Sequence, residues 1–202
     1  MTTWVLASGN AGKLREFNRL LSPLGIKVQA QGDFDVEDAD ETGLSFIENA
    51  ILKARHAAAH TGLPALADDS GIEIDALNGA PGIYSARYSA MKGGEGGDKA
   101  NIDQVLRELA EKPDAARTAR FQCVLAFMRH ATDPSPLIVQ RAWEGVILDA
   151  PVGQGGFGYD PVFYVPDQGC TAAELDAEVK NRLSHRGQAI AALLPQLHAL
   201  LT

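Results

Sequence analysis

Apolar residues along this chain follow two different rhythms, and the switches between them mark its elements. Trp4 to Ala7 is a continuous apolar run that reads as a strand leading into Ser8-Gly9-Asn10-Ala11-Gly12-Lys13. Leu14, Phe17, Leu20, Leu21 and Leu24 then recur at helical spacing, which predicts a first helix ending near Pro23-Leu24-Gly25. Ile26 to Ala30 reads as a second strand. Residues 31–43 lose the rhythm and gather Asp33, Asp35, Glu37, Asp38, Asp40 and Glu41 into an acidic loop. A second helix is predicted over about Ser45 to His60, with Ser45 as its cap and Glu48 as the capping-box partner. Ile47, Ile51, Ala54 and Ala58 form its expected buried stripe.

Strand-like segments from Pro64 to Ala67 and from Gly71 to Leu77 bracket Asp68-Asp69-Ser70, which is expected to be a turn. Asn78-Gly79-Ala80-Pro81-Gly82 is turn chemistry, and Gly93-Gly94-Glu95-Gly96-Gly97 predicts a mobile loop before a third helix over Asp98 to Glu111. Thr118 to Arg129 and Leu137 to Leu148 read as two long strands, joined through Asp133-Pro134-Ser135-Pro136 as an antiparallel hairpin. A second glycine-rich loop covers 153–158, and Val162 to Val165 is a short strand. Thr171-Ala172-Ala173-Glu174 carries a capping-box signature for a short helix. The final helix runs from about Ser184 to Leu200, with Pro195 as its kink point. Strands alternate with helices early and form a hairpin late, so the expected class is α/β with a mixed sheet.

Composition narrows the setting. The 202 residues suit one sizeable domain or two closely joined lobes, and 46% hydrophobic residues supply a core. No apolar run approaches the ~18 residues of a membrane span. Met1-Thr2-Thr3-Trp4-Val5-Leu6 lacks the basic start and long apolar stretch of a signal peptide and reads as a first strand. Cys123 and Cys170 give no disulfide framework and no metal-ligand spacing, which favours a reducing cytosol. A net charge of −8 argues against binding a nucleic-acid backbone. It leaves room for a small anion held by a few basic side chains and a divalent cation.

Four segments carry candidate chemistry. At Asp68 and Asp69, strand alternation points neighbouring side chains in different directions. Adjacent carboxylates repel unless a cation, hydrogen bonds or a proton compensates. A divalent metal does so where phosphate chemistry is involved; the competing reading is an Asx-turn with solvated acids. Ser8-Gly9-Asn10-Ala11-Gly12-Lys13 delivers a strand to a helix N-terminus, where exposed N–H groups and Lys13 make an anion site. Its spacing fits neither a Walker A loop nor the dinucleotide fingerprint. Phe157-Gly158-Tyr159-Asp160-Pro161 brackets a glycine with aromatics able to stack on a purine. Ser184-His185-Arg186-Gly187 puts two basic side chains at a helix start, against the helix dipole, which an anion or an electron-rich carbonyl would relieve. Lys180 lies just upstream, and Glu48, Asn49 and Lys53 stand on the second helix.

These segments together resemble the inosine/xanthosine triphosphatase family, which are non-canonical purine nucleoside triphosphate pyrophosphatases. The matching stretches begin with Ser8-Gly9-Asn10…Lys13…Glu16 and Glu41-Thr42-Gly43…Phe46-Ile47-Glu48-Asn49-Ala50…Lys53-Ala54. They continue with Ala67-Asp68-Asp69-Ser70-Gly71 and the run Gly79 to Tyr88. They end with Gly156-Phe157-Gly158-Tyr159-Asp160-Pro161…Phe163 and Lys180…Ser184-His185-Arg186-Gly187. Ser8 stands where many relatives carry Thr, and keeps the hydroxyl.

The resemblance implies an elongated mixed β-sheet with flanking helices and two lobes around a central nucleotide cleft, one functional domain over 1–202, and a cytoplasmic homodimer. It implies Mg2+-dependent hydrolysis of ITP, dITP and XTP to the monophosphate and pyrophosphate. In it Asp69 is the general base and a metal-associated acid, and Glu41, or its neighbour Asp40, matches the second metal-linked acid. Ser8, Gly9, Asn10, Ala11, Gly12, Lys13 and Lys53 correspond to triphosphate contacts. Ser70, Phe157, Gly158, Tyr159, Asp160, Lys180, His185 and Arg186 correspond to substrate contacts. Two other classes compete: a nucleotide-binding module without catalysis, which needs no water-activating acid, and a hydrolase of pyrimidine nucleotides, which the His185–Arg186 donor pair disfavours.

Overall fold

The computed structural model describes residues 2–201. Its elements are β1 (Thr2–Leu6), α1 (Ala11–Leu21), β2 (Ile26–Ala30), α2 (Phe46–Thr61), β3 (Ala65–Ile74), β4 (Pro81–Gly82) and α3 (Tyr88–Met91). They continue with α4 (Asp98–Ala110), β5 (Thr118–Met128), β6 (Leu137–Ile147), β7 (Phe163–Val165), β8 (Cys170–Thr171), α5 (Ala177–Leu183) and α6 (His185–Leu201). One mixed sheet has the order β2-β1-β3-β5-β6-β7-β8, with β4 paired to β3. The β1–β2 and β1–β3 pairings are parallel, whereas β3–β4, β6–β7 and β7–β8 are antiparallel.

The chain divides into two compact units. The first comprises Met1–Asp69, Val124–Gln140 and Ala189–Thr202. Here Trp4 packs on Phe127 with ring centroids 4.3 Å apart. Asn18 fastens α1 to β2 by donating to the Val28 carbonyl (2.8 Å) and accepting from the Val28 N–H (2.9 Å), as a neighbouring strand would. Ser45 caps α2 through the Glu48 N–H, a contact of a kind that stabilises a helix by about 1 kcal/mol. After β5, buried Asp133 accepts from the backbone of Arg129 and Ser135 and from the Arg129 guanidinium, which holds its carboxyl well below the usual range.

The second unit comprises Ser70–Cys123 and Arg141–Gln188. Its core joins Ile72, Val105, Leu109, Phe121, Trp143 and Phe163. Phe163 is the hub, with its ring centroid 4.5 Å from that of Phe121 and 5.3 Å from that of Trp143.

Three expectations change. Asp68-Asp69-Ser70 is not a turn: β3 runs unbroken through both acids. The buried stripe of α2 is Phe46, Asn49, Ala50, Ala54, Ala57 and Ala58, with Ile47 on the exposed side and Ile51 only half-buried. Ala54 and Ala58 are buried as expected, but small alanines give no strong apolar contrast, so the pattern missed on Ile47 and Ile51. Thr171 and Glu174 do form their box, with the Glu174 carboxylate accepting from the Thr171 N–H and hydroxyl at 2.8 and 2.9 Å. The box closes a turn after β8 instead of a helix, and α5 begins only at Ala177.

Candidate active site

In the first unit, β1 ends at Leu6 and hands the chain through Ser8 and Gly9 to α1. Asn10 caps that helix: its side-chain oxygen accepts from the N–H groups of Gly12 (2.8 Å) and Lys13 (3.1 Å). The Ser8 hydroxyl accepts from the Asn10 N–H at 3.2 Å. The anion-binding amides expected at this helix start are therefore partly satisfied by the protein itself. Gly9, Asn10, Ala11 and Gly12 are exposed, so the segment is open to a ligand.

β3 carries the two acids inward. Asp68 and Asp69 are only 1% and 7% exposed. Alternation along the strand separates their partners. Lys13 donates to Asp68 Oδ1 at 2.8 Å, whereas Lys53 donates to Asp69 Oδ1 at 2.5 Å. Lys53 also donates to Glu41 Oε1 at 2.9 Å and to the Asp68 carbonyl at 3.1 Å. Glu41 is thus the acid that joins Asp69, and its exposed neighbour Asp40 is not placed with them by any of these contacts.

Burial is the largest influence on Asp69 and raises its pKa; the Lys53 ammonium offsets this in part, while Glu41 and Asp68 add repulsion. Burial also opposes the Lys53 charge, yet Asp69 and Glu41 together outweigh it and keep the Lys53 pKa above its ordinary value. Both partners shift upward, Asp69 chiefly through burial and Lys53 through the two carboxylates it serves. Asp69 Oδ2 is buried and has no hydrogen-bond partner.

Asn49 on α2 holds the Glu41 loop. Its Oδ1 accepts from the Gly43 N–H at 2.8 Å, and its Nδ2 is buried without a partner. A Cβ at position 43 would stand 2.6 Å from Glu48 Cβ and 2.7 Å from Asn49 Oδ1, so glycine is required for this close approach. Glu48 itself is exposed and works as a cap, accepting from the Ser45 hydroxyl and the Leu44 N–H.

In the second unit, the 157–160 segment is tied down by Asp160, whose buried carboxylate accepts from the Phe157 N–H (2.7 Å) and pairs with Lys180. Gly156 has φ 74°, and the Asp160 carboxylate fills the place a Cβ would take. The Gly158 N–H donates to Asp98 at 2.6 Å. Tyr159 is a core residue, its hydroxyl donating to the Ser85 carbonyl at 2.8 Å. Of the two aromatics expected to shape a base pocket, only Phe157 presents its ring to solvent, at 59% exposure. Lys180 Nζ and the Arg186 guanidinium lie 5.0 and 5.9 Å from that ring's centroid. His185 and Arg186 open α6 and are buried, and the His185 ring stacks on Phe121 at 4.9 Å and 14°. Ser70, next to Asp69 in sequence, is half-buried.

Asp68, Phe121 and Asp98 are the residues that sequence reasoning left without a role. Only Asp68 had a signal, the alternation that separates it from Asp69. The contacts that matter here, His185 for Phe121 and Gly158 for Asp98, lie more than fifty residues away in the chain.

Among the described residues, no three or more His, Cys, Asp or Glu side chains gather to hold an ion. Two carboxylates, Glu41 and Asp69, share one region, and Asp69 Oδ2 waits there without a partner. That donor set fits magnesium, which binds through one or two carboxylates and takes its remaining ligands from water and phosphates.

Comparison with known proteins matches residues 4–196 to the model of the Ham1 family. The dITP/XTP pyrophosphatase of Shigella flexneri is 59% identical over 96% of this chain and 96% of its own. That of Thioalkalivibrio sulfidiphilus is 58% identical over 96% of this chain and 97% of its own. The solved structure of a HAM1 protein from Coxiella burnetii superimposes with a TM-score of 0.93, at 52% identity, over 98% of this chain and 100% of that one.

Proposed function

The chain belongs to the Ham1 family, and we propose that it hydrolyses the non-canonical purine nucleoside triphosphates dITP, XTP and ITP to the monophosphate and pyrophosphate. The observation that carries this reading is Asp69: a buried carboxylate with one oxygen fixed by Lys53 and the other unpartnered. Such a group is placed to accept a proton, and its raised pKa strengthens it as a base.

This reading gives each residue a part in the reaction. Lys13, Lys53 and the Ser8–Gly12 segment receive the triphosphate. Asp69 Oδ2 orients a water and takes its proton. The water oxygen bonds to the α-phosphorus as the α–β bridging bond breaks, and pyrophosphate leaves with the bridging oxygen. Magnesium held by Glu41 and Asp69 would supply positive charge against the phosphates. The same reading takes the working form as a cytoplasmic homodimer of single-domain chains. Among the described residues no helix is long and apolar enough to cross a membrane.

Incubation with ITP and magnesium, followed by ion-exchange separation, should yield IMP and pyrophosphate in equal amounts. Diphosphate with orthophosphate as main products would reject the cleavage position.

Base choice falls to His185 and Arg186. Both can donate to an oxygen at C6, where adenine presents a donor instead. Guanine shares that oxygen, so its rejection must come from the 2-amino group, against the pocket that Phe157 to Asp160 help form. In Arg186→Ala, kcat/KM for ITP should fall while the already poor value for ATP changes little, so their ratio drops. An unchanged ratio, with both values falling together, would assign Arg186 to the phosphates or to structure.

A further inference from the structure

We infer that Lys53 is a displaceable internal counter-ion that keeps a divalent cation off Glu41 and Asp69 until a triphosphate arrives, so that metal and nucleotide enter together. This rests on the proposed magnesium-dependent reaction and adds an order of events to it.

An ammonium has three N–H donors and no acceptor. Lys53 spends them on Glu41 Oε1 at 2.9 Å, Asp69 Oδ1 at 2.5 Å and the Asp68 carbonyl at 3.1 Å. Its side chain is 15% exposed, so it is seated among these oxygens. These two carboxylates are the ones that would bind the metal. A divalent ion taking both oxygens would have to displace the ammonium from them, because two cations repel strongly at such range in a partly buried setting. The protein offers a bare cation little in exchange, since no third ligating side chain joins the pair among the described residues.

A triphosphate changes both sides of that competition. It brings oxygens that complete the coordination of the cation. It also gives Lys53 new anionic acceptors within the sweep of a flexible four-carbon stem. Lys53 then leaves the acids for the phosphates, and Asp69 Oδ1 and Glu41 Oε1 are released to the metal. The same arrangement is repeated nearby: Lys13 rests on Asp68, and the Gly12 and Lys13 amides rest on Asn10. Groups assigned to phosphate are held by internal acceptors in the free protein.

The test measures metal binding, not turnover. Free Mn2+ is followed by its electron paramagnetic resonance signal during titration of nucleotide-free protein. A parallel titration contains an α,β-imido triphosphate analogue, which is not cleaved at the α–β position. Wild-type protein should bind Mn2+ weakly alone and tightly with the analogue. Lys53→Met should bind Mn2+ alone at least about tenfold more tightly than wild type, whereas Lys53→Arg, which keeps the charge, should not. Circular dichroism checks that both variants are folded. Should Lys53→Met unfold, wild type alone decides: equal Mn2+ affinity with and without the analogue overturns the inference. Analogue-dependent binding with no gain in nucleotide-free Lys53→Met overturns the role of Lys53 and leaves the magnesium reading standing. No Mn2+ uptake by wild type even with the analogue overturns both.

Discussion

Replacing Asp69 by Asn is expected to lower kcat for ITP by about 10²–10⁴-fold, the usual contribution of a positioned general base. The substitution keeps the shape of the side chain and removes its ability to take a proton. Lys53 keeps Glu41 and the Asp68 carbonyl as acceptors, so the fold should survive. The stability effect has a definite sign. A raised pKa means that the folded chain holds the Asp69 proton more tightly than the unfolded chain does. Stability therefore falls as pH rises from the ordinary carboxylate range through the raised value. The attraction to Lys53 is already included in that balance. At neutral pH the Asn variant should melt no lower than wild type. The pH profile gives a second check: the acid limb of kcat/KM that reports Asp69 should vanish in Asp69→Asn. Near-normal turnover in a folded variant would end the assignment.

Removal of divalent cations should have an effect of similar size. A cation that supplies about 4 kcal/mol of charge stabilisation to phosphoryl transfer accounts for about 10³-fold in rate. Protein and nucleotide freed of metal by chelating resin should therefore lose at least that factor and regain it when magnesium is added back. Full activity after exhaustive chelation would contradict the site, because Lys13 and Lys53 would then have to neutralise the triphosphate unaided.

Much of this was legible in the residues themselves. The mixed sheet followed from helical and strand periods that alternate early and pair late. Asp69 stood out as an acid at the end of an apolar run, whereas Glu41, in an acidic loop beside Asp40, and Lys53 took their roles from the family resemblance; the structure brings all three together. What escaped was set by contacts that no local pattern encodes. Adjacent acids read as a turn because two charges usually seek solvent. Here two lysines from α1 and α2 allow β3 to continue with both acids buried. Tyr159 was expected beside Phe157 as a pocket wall, but a carbonyl at Ser85 accepts its hydroxyl and makes the core available to it. Phe121, which fixes the plane of His185, sits in an ordinary strand pattern and gave no sign of that duty.

The division of the chain bears on how this protein is made. The first unit draws on Met1–Asp69, on Val124–Gln140 and on Ala189–Thr202. Domains made of one continuous stretch fold in the order in which they emerge from the ribosome. This unit cannot do so. Its opening segment, with β1, α1, β2 and α2, is synthesised long before the strand residues after Cys123 and the later part of α6 that complete it. In that interval β1 lacks its finished surroundings: Trp4 has no Phe127 to pack against. The second unit is closed by Arg141–Gln188, so both units wait for late segments. The nascent chain must carry an unfinished N-terminal third, with apolar strands still uncovered, through most of translation, a stage at which holding chaperones have a target.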